Sequence, residues 1–189
     1  PNPDPKHYPM PFTRLEIAVM TLVDGELQVL LARRAQAPYA GKWALPGGVL
    51  RIDLDASLDA AARRVMRERL GLDLPFLRQL CAAGGPTRDP RAPWALSVVY
   101  RALVPAETVN PLAGKRIEAL AWRRVDDAIA DRSLAFDHST LVSRAVESTR
   151  AEVETLWRIF CGDKAPAFDA IEVTCALSVP AVPAELVRR

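Results

Sequence analysis

Two apolar runs joined by an Asp-Gly pair constrain the fold of this chain more than any other feature of its sequence. The first run is LEIAVMTLV, residues 15–23, and the second is LQVLLARR, residues 27–34. Asp24-Gly25 between such branched, apolar segments predicts a tight β-hairpin. Because almost every position in both runs is apolar, we expect both faces of the hairpin to be buried. The hairpin therefore predicts a sheet that is covered on both sides.

One amphipathic helix and several further strands follow the hairpin. Residues 57–70 have apolar side chains at helical spacing, with Ser57 as the expected N-cap and Gly71 as the C-terminal stop. Strands are predicted at WALP, FLRQLCAA, WALSVVYRALV and EALAWRRV. A short helix is predicted at 126–131, and a long helix is predicted from FDHSTL onward, with Asp137 or Ser139 near its cap. This order predicts an α+β fold, an α/β/α sandwich with a mixed β-sheet between helices.

Proline content and composition divide the chain and limit its class. We expect residues 1–12 to form an extended arm, 13–160 to form one domain, and 161–189 to form a tail of uncertain structure. Half of the 189 residues are apolar and a quarter are charged, which is typical of a globular protein. Three scattered cysteines and the lack of a signal-peptide pattern or a long apolar run predict a cytoplasmic protein outside the membrane. A net charge of +2 gives no argument for nucleic-acid binding.

The stretch GGVLRIDLDASLDAAARRVMRERLGL, residues 47–72, resembles the signature of the Nudix superfamily. That signature places glutamates on one helix face, where three carboxylates hold Mg²⁺ beside a pyrophosphate. Counted back from Gly71, Arg64 matches the signature arginine and Glu68 matches the first acid of the final pair. Val65 and Arg69 stand where two other acids belong. The upstream glutamate is also missing, since Leu54 or Ala56 occupies its place.

The resemblance extends over residues 13–150 and indicates a subgroup. GKWALPGG, PTRDPR, SVVYRALVP, EALAWRRVDD and LAFDHSTL are similar to segments of ADP-ribose-type Nudix hydrolases and of Nudix-related transcription regulators of NAD metabolism. The resemblance implies a Nudix fold and an ADP-ribose-like nucleoside diphosphate as ligand. In the regulators, a DNA-binding winged helix follows the Nudix domain. The residues after 161 are too few for one, so we expect no DNA binding by this chain alone.

The same resemblance gives a set of candidate site residues. Backbone amides of the paired glycines would approach a phosphate, while arginines would hold the diphosphate in place of the metal. The candidate ligand-binding residues are Gly47, Gly48, Arg33, Arg64, Arg69 and Arg88, with Arg34, Lys42 and Arg91 as further cations. A single aromatic residue would stack on an adenine, the candidates being Trp43, Trp94, Tyr100 and Trp122.

Two functions remain open on the sequence, beside a fold that has drifted from both, and the missing acids favour the first function. The first is a binding protein that holds an ADP-ribose-like ligand without a metal; this form includes a truncated regulator or a ligand-binding homodimer. The second is a hydrolase that cleaves the pyrophosphate with Mg²⁺ as cofactor. In the hydrolase, Glu68 would be the catalytic and metal-binding acid, and Asp53 and Asp55 of the two-residue-longer loop would complete the site.

Overall fold

The computed structural model describes residues 10–74 and 76–161. Within them lie seven strands, three α-helices and one short 3-10 turn. In chain order the elements are β1 Phe12–Val23, β2 Glu26–Arg34, β3 Trp43–Ala44, β4 Gly47–Val49, α1 Leu58–Leu70, β5 Arg78–Gly85, β6 Ala95–Leu103, the turn Ala106–Thr108, β7 Ile117–Arg124, α2 Val125–Ala130 and α3 His138–Cys161. The arm predicted for residues 1–12 falls mostly outside the described residues, as does the predicted tail after Cys161, and Phe12 already belongs to β1.

The seven strands form one mixed sheet with β1 at its centre. The main path runs β3-β2-β1-β6-β5, while β4 pairs with β1 and β7 pairs with β2. The β1–β6 pair is parallel, and the other pairs are antiparallel. Asp24 and Gly25 both have positive φ in the β1–β2 turn, as the Asp-Gly pair predicts. The predicted hairpin and mixed sheet are confirmed.

Both faces of the sheet are buried, as the two apolar runs predict. On one face, residues of β1, β2 and β6 pack against α1; this core contains Leu15, Ile17, Val19, Leu30, Ala61, Val65 and Met66. On the other face, alternate residues of the same strands pack against α2 and α3; this core contains Ala18, Met20, Val29, Leu31, Ala128, Leu141 and Val142. The period of two in a strand sends successive side chains to opposite faces. The α/β/α arrangement is therefore confirmed.

Helix α1 begins and ends as its sequence predicts. The Ser57 side chain accepts a hydrogen bond from the Ala60 backbone N–H at 3.1 Å, which satisfies one donor of the first turn. Gly71 adopts φ +65° at the other end, and its N–H donates to the Arg67 carbonyl. This left-handed conformation is the one that glycine adopts without a steric penalty.

Two local features were not predicted from the sequence. Gly47 and Gly48 lie in the short extended strand β4 and pair with β1. At the start of α3, the Asp137 carbonyl, not its carboxylate, accepts the N–H groups of Thr140 and Leu141. The Asp137 carboxylate instead forms an ion pair with Arg88. Asp137 thus directly precedes α3, where the cap was predicted, but its carboxylate pairs with a cation from a distant loop.

No α-helix in the described ranges is both long enough and apolar enough to cross a lipid bilayer.

Candidate functional site

A small cavity opens at the end of the sheet where β1 begins and β2 ends. Its volume is about 60 Å³. Five arginines from five separate segments contribute to its wall: Arg14 of β1, Arg34 of β2, Arg69 of α1, Arg91 of the β5–β6 loop, and Arg116 just before β7. The remaining wall is made by Ala32, Gln36, Ala37, Ala44, Leu45, Pro46, Gly47, Val49 and Ile117. We call this space the arginine cavity.

Two of the five arginines are neutralised by buried carboxylates. The Arg14 Nε atom donates to Glu16 Oε1 at 2.8 Å, and both side chains are almost inaccessible to solvent. The Arg91 Nε atom donates to Asp89 Oδ1 at 2.8 Å. Burial raises the pKa of Asp89, but the hydrogen bonds from Arg91 lower it by more, so the carboxyl stays below its ordinary value. Asp89 therefore remains charged, and each of the two carboxylates pairs with one of the five arginines.

The other three arginines have no ion pair with a carboxylate in the described part of the chain. Main-chain carbonyls hold two of them, since Arg34 Nε donates to Pro38 O at 2.7 Å and Arg69 Nε donates to Gly47 O at 3.1 Å. Burial, followed by repulsion from Arg14, lowers the pKa of Arg34 to about 10. Burial and repulsion from Arg116 also lower the pKa of Arg69. Both remain cations at neutral pH, in an excess of like charge.

The loop before β7 places Arg116 at the cavity. Its backbone covers the C-terminal end of α1: Leu112, Gly114 and Lys115 donate their N–H groups to the last carbonyls of that helix. Those carbonyls have no partner within the helix, so the loop satisfies them. Arg116 then adopts φ +64°, an uncommon conformation for a residue with a side chain. Its guanidinium lines the cavity while its carbonyl accepts the Ala35 N–H.

A buried polar group lies behind the Gly47 backbone. Glu16 Oε2 has no hydrogen-bond partner among the described residues, and it would lie 1.9 Å from a Cβ atom built on Gly47. His138 Nε2 is 3.9 Å from this oxygen, too far for a hydrogen bond. His138 Nδ1 accepts the Leu45 N–H at 2.8 Å, and burial lowers the pKa of His138 to about 3. The His138 imidazole is therefore neutral here.

The helix face that the Nudix signature assigns to metal binding has a different structure here. Val65 is buried in the core, and its Cγ2 atom would be 2.7 Å from a Cβ atom on Gly48. Thus Gly48 permits close packing of β4 on α1. Arg69 extends to Gly47 at the cavity wall. Glu68 is exposed, and its carboxylate lies 3.3 Å from an Arg64 nitrogen.

The acids of the longer loop are each paired with an arginine. Arg64 makes a two-point contact with Asp55, both distances being 2.7 Å, and it also donates to the Val49 carbonyl. Asp53 pairs with Arg51 at 2.6 Å. Hydrogen bonds from these arginines lower the pKa of both Asp55 and Asp53. In the described ranges, no three His, Cys, Asp or Glu residues are grouped so that they could hold a metal ion.

The structure brings together only some of the residues proposed from the sequence. Gly47 and Arg69 line the arginine cavity, as do the further cations Arg34 and Arg91. Arg64 and Gly48 lie in the contacts between β4, the longer loop and α1. The remaining two candidates, Arg33 and Arg88, pair with Glu118 and Asp137 and lie outside the cavity wall.

Sequence reasoning missed Arg14 and Arg116. Arg14 and Glu16 are two residues apart in an otherwise apolar strand, so they share a sheet face and can pair. That pattern was a detectable signal of a buried polar site. Arg116 had no comparable signal, because its position depends on how the loop before β7 contacts α1.

Comparisons with known proteins show what this fold and sequence resemble. The NUDIX domain model matches residues 13–145. The ADPR responsive transcriptional repressor NtrR of Acinetobacter baylyi is 35% identical over 138 residues, which cover 73% of this chain and 54% of the repressor. An ADP-ribose pyrophosphatase of Methanocaldococcus jannaschii is 31% identical over 85 residues, which cover 44% of this chain and 48% of that enzyme. The chain thus spans about half the length of these two relatives.

A solved structure agrees with the sequence matches. The NUDIX domain of Shewanella oneidensis NrtR, crystallised with ADP ribose, superposes with a TM-score of 0.69 and is 31% identical. The superposition covers 78% of this chain and 94% of that domain. The family match, the curated relatives and the shared fold together place this chain in the NUDIX domain family.

Proposed function

We propose that this chain binds an ADP-ribose-like nucleoside diphosphate in the arginine cavity, without a divalent metal. The observation that supports this function is the excess of cations: five arginines line the cavity, and two buried carboxylates offset only two of them. The two negative charges of a diphosphate would offset most of this excess of three cations. Guanidinium groups suit phosphates because their N–H donors are arranged as a planar fork.

The electrostatics of the cavity favour an anion. Arg34 and Arg69 are partly buried and repel neighbouring arginines, which lowers the pKa of each. Bringing a phosphate between such cations replaces repulsion with attraction in a partly desolvated site, where charge interactions are stronger than in bulk water. The fixed contacts of both side chains with main-chain carbonyls hold them in place before the ligand arrives.

The metal-binding residues of the family signature do not fit a magnesium site in this chain. Magnesium requires oxygen ligands in nearly octahedral geometry. Glu68 is the one signature acid present on α1, and Arg64 lies beside it. Val65 is buried and has no oxygen ligand to offer, and the Asp55 carboxylate already forms an ion pair with Arg64. The positive charge of Arg69 would repel a metal cation. For this reason we assign no catalytic step to a metal.

The relatives support the choice of ligand. Two similar proteins have ADP-ribose, or its abbreviation ADPR, in their names, and the NUDIX domain of NrtR was solved with ADP ribose. One of the relatives is a repressor that responds to the ligand, while another is a pyrophosphatase. Hydrolysis is therefore the second candidate function, favoured by the family and by the exposed Glu68 carboxylate.

One calorimetric experiment separates binding from hydrolysis. ADP-ribose is titrated into the full chain in EDTA and again in excess Mg²⁺, and released AMP is measured in parallel. We expect equal affinity in both buffers and no AMP. Arg116→Gln should weaken binding by about tenfold to a hundredfold, because a charge-assisted hydrogen bond contributes about 1.5–3 kcal/mol.

Arg67→Gln is the matched control. Arg67 is exposed on α1 and lies outside the cavity wall, so its loss should leave the affinity unchanged. Magnesium-dependent release of AMP that Glu68→Gln abolishes would establish the hydrolase and contradict the metal-free proposal. Absence of ADP-ribose binding in both buffers would rule out both functions.

A further inference from the structure

An open groove lies beside the arginine cavity. Its volume is about 640 Å³. Small residues of β5, 82–85, form one side, and Tyr39 and Phe136 form an aromatic side. Polar side chains complete the lining: Thr87, Arg88, Asp137 and Arg144. Because the strand contributes Ala-Ala-Gly-Gly, no bulky side chain from it fills the groove.

The two aromatic rings are held in an exposed position. The Tyr39 and Phe136 ring centroids are 4.7 Å apart with an interplanar angle of 64°, an edge-to-face contact. Tyr39 remains 42% exposed. Both residues have positive φ, 62° and 58°, a conformation that costs energy when a side chain is present. Core formation does not explain this cost for Tyr39, since much of its side chain faces solvent.

Arg34 joins the groove to the arginine cavity. Its guanidinium carbon lies 5.1 Å from the Phe136 ring centroid, within cation–π range, while the same residue lines the cavity. Arg34 Nε also donates to the carbonyl of Pro38, the residue before Tyr39. One side chain thus contacts the phosphate-sized cavity, the loop of Tyr39 and the ring of Phe136.

The volumes of the arginine cavity and the groove indicate which part of one ligand each could hold. Pockets for small organic ligands generally have volumes of roughly 300–1,000 Å³. The arginine cavity, at about 60 Å³, is below this range, whereas the groove lies within it. A ligand whose phosphates enter the cavity must therefore place its larger groups outside. The groove offers an aromatic surface next to that point.

We propose that the groove binds the aromatic base of the nucleotide whose diphosphate occupies the arginine cavity, and that Tyr39 is the exposed stacking surface. This inference rests on the proposed function, and it adds selectivity for nucleotides over other diphosphates. Aromatic side chains bind bases by stacking, and every base has a face that can stack. Arg88, which is paired with Asp137, and the exposed Arg144 border the groove, and Arg144 offers hydrogen-bond donors to polar edges of the base or its ribose.

The test compares a ligand with a base and a ligand without one. ADP and inorganic pyrophosphate are titrated calorimetrically, in EDTA, into the full chain and into Tyr39→Leu, Tyr39→Phe and Phe76→Leu. Tyr39→Leu should weaken ADP binding about tenfold, since stacking is worth on the order of tenfold or more per base. Pyrophosphate affinity should not change. Tyr39→Phe, which keeps the ring, should retain ADP affinity.

Phe76→Leu controls for the loss of an aromatic side chain elsewhere. Phe76 is 80% exposed and lies outside the groove, so its substitution should affect neither ligand. An equal effect of Tyr39→Leu on both ligands, or none on either, would overturn the base-binding inference while leaving the arginine cavity as an anion site. Failure of the unmodified chain to bind pyrophosphate or ADP would instead overturn the proposed function, and this inference with it.

Discussion

Arg69 occupies the helix position at which the Nudix signature has its last acid, and its guanidinium contacts the wall of the arginine cavity. It donates to the Gly47 carbonyl and also to the Lys115 carbonyl. In the proposed function, Arg69 would contact the diphosphate from the position that the signature gives to a metal-binding acid. Val65, at the other substituted position, joins the core beneath Gly48. The two changes have different consequences because one side chain faces the cavity and the other faces the sheet.

Restoring the acid tests this interpretation. The variant Arg69→Glu replaces a cation at the cavity with an anion. The affinity for ADP-ribose in EDTA should therefore fall by about tenfold to a hundredfold. Added Mg²⁺ should not recover it, because Val65 and the paired Asp55 still leave too few ligands. Calorimetry in both buffers provides the measurement. Tighter binding in Mg²⁺ than that of the unmodified chain would contradict the assignment.

At the scale of elements, α1 and the loop before β7 depend on each other. The loop donates three N–H groups to the end of α1, and Gly114 supplies the middle one. A Cβ atom at Gly114 would lie 2.2 Å from the Glu68 carbonyl oxygen. That oxygen is backbone, so the contact cannot be relieved by rotating a side chain. The glycine thus allows the loop to cover the helix end and to direct Arg116 to the cavity.

Gly114→Ala should therefore reduce both stability and binding. We expect the free energy of unfolding to fall by about 1–3 kcal/mol, typical of overpacking in a close contact. ADP-ribose affinity should fall as Arg116 is displaced. Urea denaturation and calorimetry measure the two effects. Gly85→Ala is the control for stability, because a Cβ atom there meets no atom of the described residues within 4 Å. Equal stability of the two variants would refute the contact.

At the scale of the whole molecule, His138 connects the start of α3 to the sheet. It accepts the Leu45 N–H and is completely buried, and the neighbouring Ala135 N–H donates to the Trp43 carbonyl. Burial lowers the pKa of His138 from its ordinary value of 6.5 to about 3. The folded protein therefore keeps this imidazole neutral over a range in which the unfolded chain protonates it.

The global stability should depend on pH for this reason. Between pH 6.5 and about 3 the unfolded state binds one more proton at His138, so the free energy of unfolding should decrease as the pH falls. The expected slope is about 1.4 kcal/mol per pH unit. Urea denaturation between pH 6.5 and 5.0 measures it above most carboxylate titrations. His138→Asn, which keeps an acceptor, should lower stability but remove this slope; an unchanged slope would exclude His138 as its source.

Local patterns were sufficient to predict most of the elements. The Asp-Gly turn, the Ser57 cap and the Gly71 stop act within a few residues, so they are readable without the tertiary structure. The signature also located Glu68, Val65 and Arg69 correctly on one helix. Pairing between distant residues was not readable in this way. Asp137 was predicted as a cap, for example, but its carboxylate pairs with Arg88, 49 positions away.

The sequence by itself determined six of the seven described strands, the amphipathic α1 and the two-sided burial of the sheet. These depend on periodicity and on residue type at fixed spacing. Only the tertiary structure decided which arginines face one cavity, because they come from five segments whose side-chain directions depend on strand register and loop closure. The tertiary structure also determined that Arg64 pairs with Asp55 and that the ring of Tyr39 contacts the ring of Phe136. Long-range packing, which no local pattern encodes, sets these contacts.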